Sequence, residues 1–255
     1  MYEIGLKLWS TNKNYIEDVK KLFTEKLFDY IELYTVPNSY NEHIDLWKNI
    51  EIPFIIHAPH FREGMNLAKK ENYAQNTKLT EETIKWADTL NSETIIFHPG
   101  IDGDIKATTE QFNKLFDPRM LVENKPYYAL DDDLICNGYS PKEIEYILAN
   151  TNIGFCLDLG HAIYAANAKN NGDYINYLKA FIKLKPTLFH LSDGDIKGNF
   201  DCHDHFGQGS FDIKLLLDLL PKNQINKITI ETKKDSLDNL DCFRSDIQYL
   251  RKITG

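Results

Sequence analysis

Imidazole and carboxylate together form a donor set suited to zinc and manganese. In this chain they recur at one kind of place. Apolar runs end in, or run straight into, such a residue: Ile55-Ile56-His57, Ile95-Ile96-Phe97-His98, Leu121-Val122-Glu123, Cys156-Leu157-Asp158, Phe189-His190-Leu191 and Ile228-Thr229-Ile230-Glu231. His161 follows Asp158 by three residues, and the cluster Asp201-Cys202-His203-Asp204-His205 follows the run that holds His190. One histidine ending an apolar run is more often a satisfied polar side chain than a ligand, and one acid more often caps a helix. A whole series at equivalent places points to a shared metal site, where a bound ion would polarise a carbonyl or phosphoryl oxygen or lower the pKa of water. His60 and His205 each lie close to a better ligand candidate and read as substrate-binding or supporting residues. His43, inside a helical pattern, reads as a surface residue.

Such a site needs elements that bring the runs together. Candidate strands cover residues 3–9, 30–34, 53–57, 94–98, 120–123, 154–158, 188–191 and 227–231. Between them lie helical patterns such as 15–26, 80–90, 108–116, 141–148, 174–184 and 213–220, and a last helix over 242–253 closes the chain. Strand then helix, repeated eight times over 255 residues, predicts an α/β fold of the (β/α)8 TIM barrel type, one domain over residues 1–255. A doubly wound open sheet is the competing topology. In a barrel the C-terminal strand ends converge on one face, so the candidate ligands would meet there. Local signals mark helix starts: Ser140 as N-cap before Pro141, with Glu143 three residues on, and Thr80 before the acidic pair Glu81 and Glu82. The acidic run 131–133 reads as a solvated loop.

Hydrophobic residues make up 42% and charged residues 26% of the chain, enough for a sizeable core in a globular protein. The net charge of -9 argues against a large phosphate-tracking surface. Cys136, Cys156, Cys202 and Cys242 are scattered without a C-x-x-C pair, which speaks against a disulfide framework or a thiolate zinc site. No apolar run approaches the roughly 20 residues of a membrane span. The opening MYEIGLKLWSTN reads as a strand and not as a signal peptide. A cytoplasmic location and no membrane partner are expected.

The succession H-A-P, F-H-P-G, V-E-N, C-L-D-L-G-H-A, F-H-L-S-D, D-x-H-x-x-x-G-x-G and I-E-T, in order from His57 to Glu231, resembles the xylose isomerase-like TIM barrel superfamily. That group holds endonuclease IV and many sugar and sugar-phosphate isomerases and epimerases. The resemblance to endonuclease IV implies three zinc ions. His57 and His98 would hold the first, with Glu123 bridging to the second. Asp158, His190 and Glu231 would complete the second, and His161, Asp201 and His203 would hold the third. The resemblance to the isomerases and epimerases implies one divalent ion held by Glu123, Asp158, His190 and Glu231, with Glu123 and Glu231 as the catalytic proton carriers. Zn2+ or Mn2+, one to three ions per chain, is the implied cofactor.

The chain departs from endonuclease IV where that enzyme touches DNA. The first strand, Gly5-Leu6-Lys7-Leu8-Trp9-Ser10, lacks the usual histidine, and the second runs Glu32-Leu33-Tyr34-Thr35-Val36-Pro37-Asn38 in place of the usual DNA loop. His60 stands where a tyrosine is usual, and Lys125-Pro126-Tyr127-Tyr128 replaces a small, glycine-rich stretch. These departures favour a sugar or sugar-phosphate isomerase or epimerase, with a small-molecule partner. The alternative is a zinc phosphodiesterase acting on abasic-site DNA, which the nine-ligand set favours. Trp9, His60, Arg62 and Lys125 are the substrate-binding candidates, with Lys7, Tyr127 and Tyr128 as further residues of the mouth.

Overall fold

A computed structural model describes residues 2–129 and 134–254. Its frame is eight parallel strands: β1 (Tyr2–Trp9), β2 (Tyr30–Tyr34), β3 (Phe54–His57), β4 (Ile95–Phe97), β5 (Met120–Glu123), β6 (Gly154–Asp158), β7 (Leu188–Leu191) and β8 (Asn226–Ile230). They pair in chain order, and β1 also pairs with β8, so the barrel is closed and the open-sheet alternative is excluded. No helix among the described residues is long and apolar enough to cross a membrane. The acidic run 131–133 lies outside the described residues.

The helices are α1 (Ile16–Thr24), α2 (Tyr40–Lys48), α3 (Tyr73–Thr89), α4 (Ile105–Lys114), α5 (Pro141–Ala149), α6 (Leu159–Lys169), α7 (Tyr174–Ile182), α8 (Ile213–Leu219) and α9 (Asp241–Thr254). The start of α5 follows its sequence signal. Ser140 Oγ accepts from the Glu143 amide at 3.3 Å, and the Glu143 carboxylate reaches back to the Gly138 amide at 2.9 Å. Thr80 does not start a helix: it is buried in the interior of α3, which begins seven residues earlier. The early turns are polar because Asn76 is buried in a hydrogen-bond cluster with Asn66 and Gln111. His43 is not a surface residue either. It shares the buried face of α2 with Ile44 and Trp47.

Side chains of a strand alternate between its two faces, and the alternation divides the core in two. Leu6, Leu33, Ile56, Phe97, Val122, Leu157, Phe189 and Ile230 belong to a large cluster with the helices. Tyr30, Ile55, Ile96, Leu121, Cys156 and Leu188 form a separate cluster inside the barrel. Gly5 and Thr229 complete this inner layer. A Cβ on Gly5 would stand 2.3 Å from the Tyr30 ring, and the Tyr30 hydroxyl is 3.0 Å from Thr229 Oγ1. The absence of a side chain at position 5 is what lets the Tyr30 ring lie over β1 and reach Thr229 on β8. This apolar floor fixes the depth of everything above it.

Candidate metal centre

Two residues further along each strand from the floor, the same inward parity places Lys7, Glu32, His57, His98, Glu123, Asp158, His190 and Glu231. Every strand thus contributes one chargeable or ligating side chain to a ring at its C-terminal end. Six of these were expected from the sequence as ligands. Lys7 was expected only as a mouth residue, and Glu32 was not expected at all. Its signal was available: a carboxylate centred in the run Tyr30-Ile31-Glu32-Leu33-Tyr34, whose five residues are all buried, two positions after an inward tyrosine.

Hydrogen bonds fix the histidines by one nitrogen and turn the other toward the carboxylates. His57 Nδ1 donates to the Ala58 carbonyl at 2.8 Å, leaving Nε2 3.1 Å from Glu123 Oε2. His98 Nε2 lies 3.2 Å from that same oxygen. His190 Nε2 pairs with Glu32 Oε2 at 2.9 Å. His190 Nδ1 then lies 3.2 Å from Glu231 Oε1 and 3.4 Å from Glu123 Oε2 but hydrogen-bonds to neither. His161 Nδ1 donates to the Asn124 carbonyl at 2.9 Å. The Asn124 side chain in turn joins β5 to β6 by accepting from the Asp158 amide at 2.8 Å and donating to its carbonyl at 3.0 Å.

Three trios have donor atoms close enough together for one ion: His57–His98–Glu123, Glu123–Asp158–His161 and Glu32–His190–Glu231. The loop after β7 adds Asp201, whose Oδ2 lies 3.1 Å from His161 Nε2 and 2.7 Å from His203 Nε2. His161 therefore stands between two groups, and the nine expected ligands form one continuous cluster. Metal fits this cluster on two counts. The donors are all nitrogen and carboxylate oxygen. His190 Nδ1 and His203 Nδ1 are buried nitrogens without a hydrogen-bond partner, an arrangement that is unfavourable unless another group engages them.

The charges point the same way. Five carboxylates, Glu32, Glu123, Asp158, Asp201 and Glu231, face two ammonium groups, Lys7 and Lys125. Lys125 Nζ lies 3.3 Å from His161 Nε2, 3.4 Å from His98 Nε2 and 3.5 Å from Glu123 Oε1. Burial pushes the Asp158 carboxyl up to about 6, the neighbouring carboxylates adding to the effect against the charge of His161. His161, despite its burial, is held protonated by Asp158 and the other acids, up to about 10. Ion binding through these two residues displaces protons, so affinity must rise with pH. Below pH 6 the Asp158 proton alone weakens binding by roughly tenfold per pH unit. Titrations of chelator-stripped protein with Mn2+ at pH 5 and pH 7 measure this. Equal affinity at both would remove Asp158 and His161 from the ligand set.

The other mouth residues lie around this centre. Trp9, 53% exposed, packs on the Tyr34 ring at 5.7 Å. The His60 ring stacks parallel to that of His98, centroids 5.8 Å apart. Its Nδ1 and the Tyr34 hydroxyl converge on Glu63 Oε2, at 2.9 and 2.6 Å. Burial, and then the positive charges of Lys125, His57 and Arg62, bring His60 down to about 3, so it is neutral at physiological pH. Arg62 is exposed beside it. Tyr127 and Tyr128 pack edge to face, and Tyr128 meets Phe200 at 5.8 Å. His205 turns away from the ligands: its Nδ1 pairs with Asp246 Oδ2 on α9 at 2.8 Å.

Comparison with known proteins agrees with this architecture. A protein named "Probable endonuclease 4" from Mycobacterium bovis is 27% identical over 219 residues, which is 82% of this chain and 81% of that protein. A D-tagatose 3-epimerase-like protein superposes with a TM-score of 0.73 at 17% identity, covering 99% of this chain and 97% of that one. Endonuclease IV from Thermus thermophilus superposes with a TM-score of 0.72 at 19% identity, covering 99% of this chain and 98% of that one. The family described as "Xylose isomerase-like TIM barrel" matches residues 28–253. A closed eight-stranded barrel and a family match over nearly its whole length make this chain a member of the xylose isomerase-like TIM barrel family.

Proposed function

We propose that this protein, with residues 1–255 as one domain, is a divalent-metal-dependent isomerase or epimerase of sugars or sugar phosphates that moves a proton next to a polarised carbonyl. The observation that carries this reading is the convergence of two carboxylates, Glu123 and Glu231, on His190 Nδ1, at 3.4 and 3.2 Å. Zn2+ or Mn2+ bound by Glu123, Asp158, His190 and Glu231 would polarise the carbonyl and hydroxyl oxygens of the substrate. One carboxylate takes the proton from the substrate carbon and the other returns one. His190 is held for this work by Glu32. Trp9 and the neutral His60 supply flat walls for a sugar carbon face, and Lys125 supplies a cation for a hydroxyl or phosphate oxygen.

A second reading, a phosphodiesterase acting on abasic-site DNA, is favoured by the His161–Asp201–His203 group, which proton transfer does not require. Likeness to a protein named "Probable endonuclease 4" supports it as well.

Two assays on one metal-loaded sample decide between them. Incubation in D2O with a panel of ketoses and ketose phosphates is expected to place deuterium on a substrate carbon, and abasic-site duplex is expected to stay intact. Efficient nicking of that duplex, without deuterium incorporation into any sugar, would reverse the assignment.

A further inference from the structure

Lys7 is the one member of the ring that brings a fixed positive charge. Its register opposite Glu32 on β2 and the closure of β1 against β8 set its ammonium between two carboxylates. Nζ is 2.5 Å from Glu32 Oε1 and 2.7 Å from Glu231 Oε1. Those two acids, with His190, form one of the three trios whose donor atoms are close enough for an ion. In this trio both Glu32 oxygens are already engaged. Glu32 receives Lys7 on one oxygen, and His190 Nε2 at 2.9 Å and Thr229 Oγ1 at 2.5 Å on the other. The other two trios differ: their nearest ammonium, Lys125, keeps to 3.3 Å or more from His161, His98 and Glu123.

A divalent ion at the Glu32 trio would have to share the oxygens that hold the ammonium. Two cations a few ångströms apart above an apolar floor repel strongly, because little water screens them. We propose that Lys7 is a resident cation that closes the Glu32–His190–Glu231 trio to metal ions. Glu32 thereby remains the orienting partner of His190, and ions are confined to the Glu123 side of the ring. This inference rests on the metal reading of the mouth, and it assigns Lys7 as the residue that sets the ion count.

The test is the number of ions bound per chain. Chelator-stripped native protein, Lys7→Met and Lys7→Gln are saturated with Mn2+, separated from free ion and analysed for metal. Methionine removes the charge at similar length. Glutamine removes it but leaves an amide donor for the carboxylates, which protects folding if bare methionine leaves Glu32 too exposed to its own charge. Each folded variant is expected to bind one Mn2+ more per chain than the native protein. Mn2+ should also raise its melting temperature by more than it raises that of the native protein, because the added ion binds only the folded state. Adding Glu32→Gln to either variant should return the count to the native value. A folded Lys7 variant with the native ion count overturns the inference. A native chain that binds no ion at all instead overturns the metal reading, and the inference falls with it.

Discussion

Glu123→Gln is expected to lose turnover by about a thousandfold, the middle of the range for removing a positioned acid–base group, and to lose bound metal as well. Both effects follow from one position. Glu123 Oε2 lies 3.1 Å from His57 Nε2, 3.2 Å from His98 Nε2 and 3.4 Å from His190 Nδ1, and Oε1 lies 3.0 Å from His161 Nδ1. No other acid among the described residues touches four histidines of the cluster, so none can stand in as a bridge. Glutamine keeps the shape but offers one oxygen and no negative charge. Elemental analysis and steady-state kinetics on the same preparation check the prediction, with thermal melting to confirm the fold. Full metal content together with full activity would remove Glu123 from the centre.

Asp246→Ala carries the second large effect, at a distance from the ligands. Asp246 is buried on α9, where Oδ2 accepts from Thr232 Oγ1 at 2.6 Å and His205 Nδ1 at 2.8 Å, and Oδ1 accepts from the Phe206 amide at 3.0 Å. One carboxylate therefore ties α9 to the strand end of β8 and to the loop that carries Asp201 and His203. Its removal strands a buried imidazole and two further donors. A loss of about 3–5 kcal/mol is expected, the range for breaking a buried charged pair. In a chain of this size that lowers the melting temperature by about 10 °C. The freed loop should also give up His203, seen as weaker metal retention on dialysis. Asp246→Asn, which keeps an acceptor, should fall between the two. An alanine variant that melts and holds metal like the native protein would show that the loop is fixed by other contacts.

Where ligand chemistry and strand periodicity coincide, the candidate residues stand out in the sequence and meet in one ring of the structure. His57, His98, Glu123, Asp158, His190 and Glu231 were legible because imidazole or carboxylate at the end of an apolar run is conspicuous. Lys7 and Glu32 occupy the same rank of the ring but are not conspicuous. A lysine in a first strand reads only as a mouth residue, and an acid within an aromatic one as solvent-facing, until the inward parity is extended to all eight strands. Helix α6 was missed for the opposite reason. Residues Leu159 to Ala166 are all buried, so the segment has no polar stripe by which an amphipathic helix is recognised. The role of His205 depends on Asp246, 41 residues further on, and no local pattern encodes that pairing.

The ring has a bearing on how the protein is made. Each strand lends it one side chain, and the last, Glu231, follows β8 directly. A nascent chain that has emerged only through β7 holds most of the acids without the element that completes their arrangement, and its first and last strands are open edges. An ion held jointly by Glu123, Asp158, His190 and Glu231 would therefore be captured late, only after β8 has docked between β7 and β1. An ion so held would act as a latch, since it would bind the closed form and draw the population toward it. Occupancy of that four-residue group would accordingly report the fraction of chains whose barrels have closed.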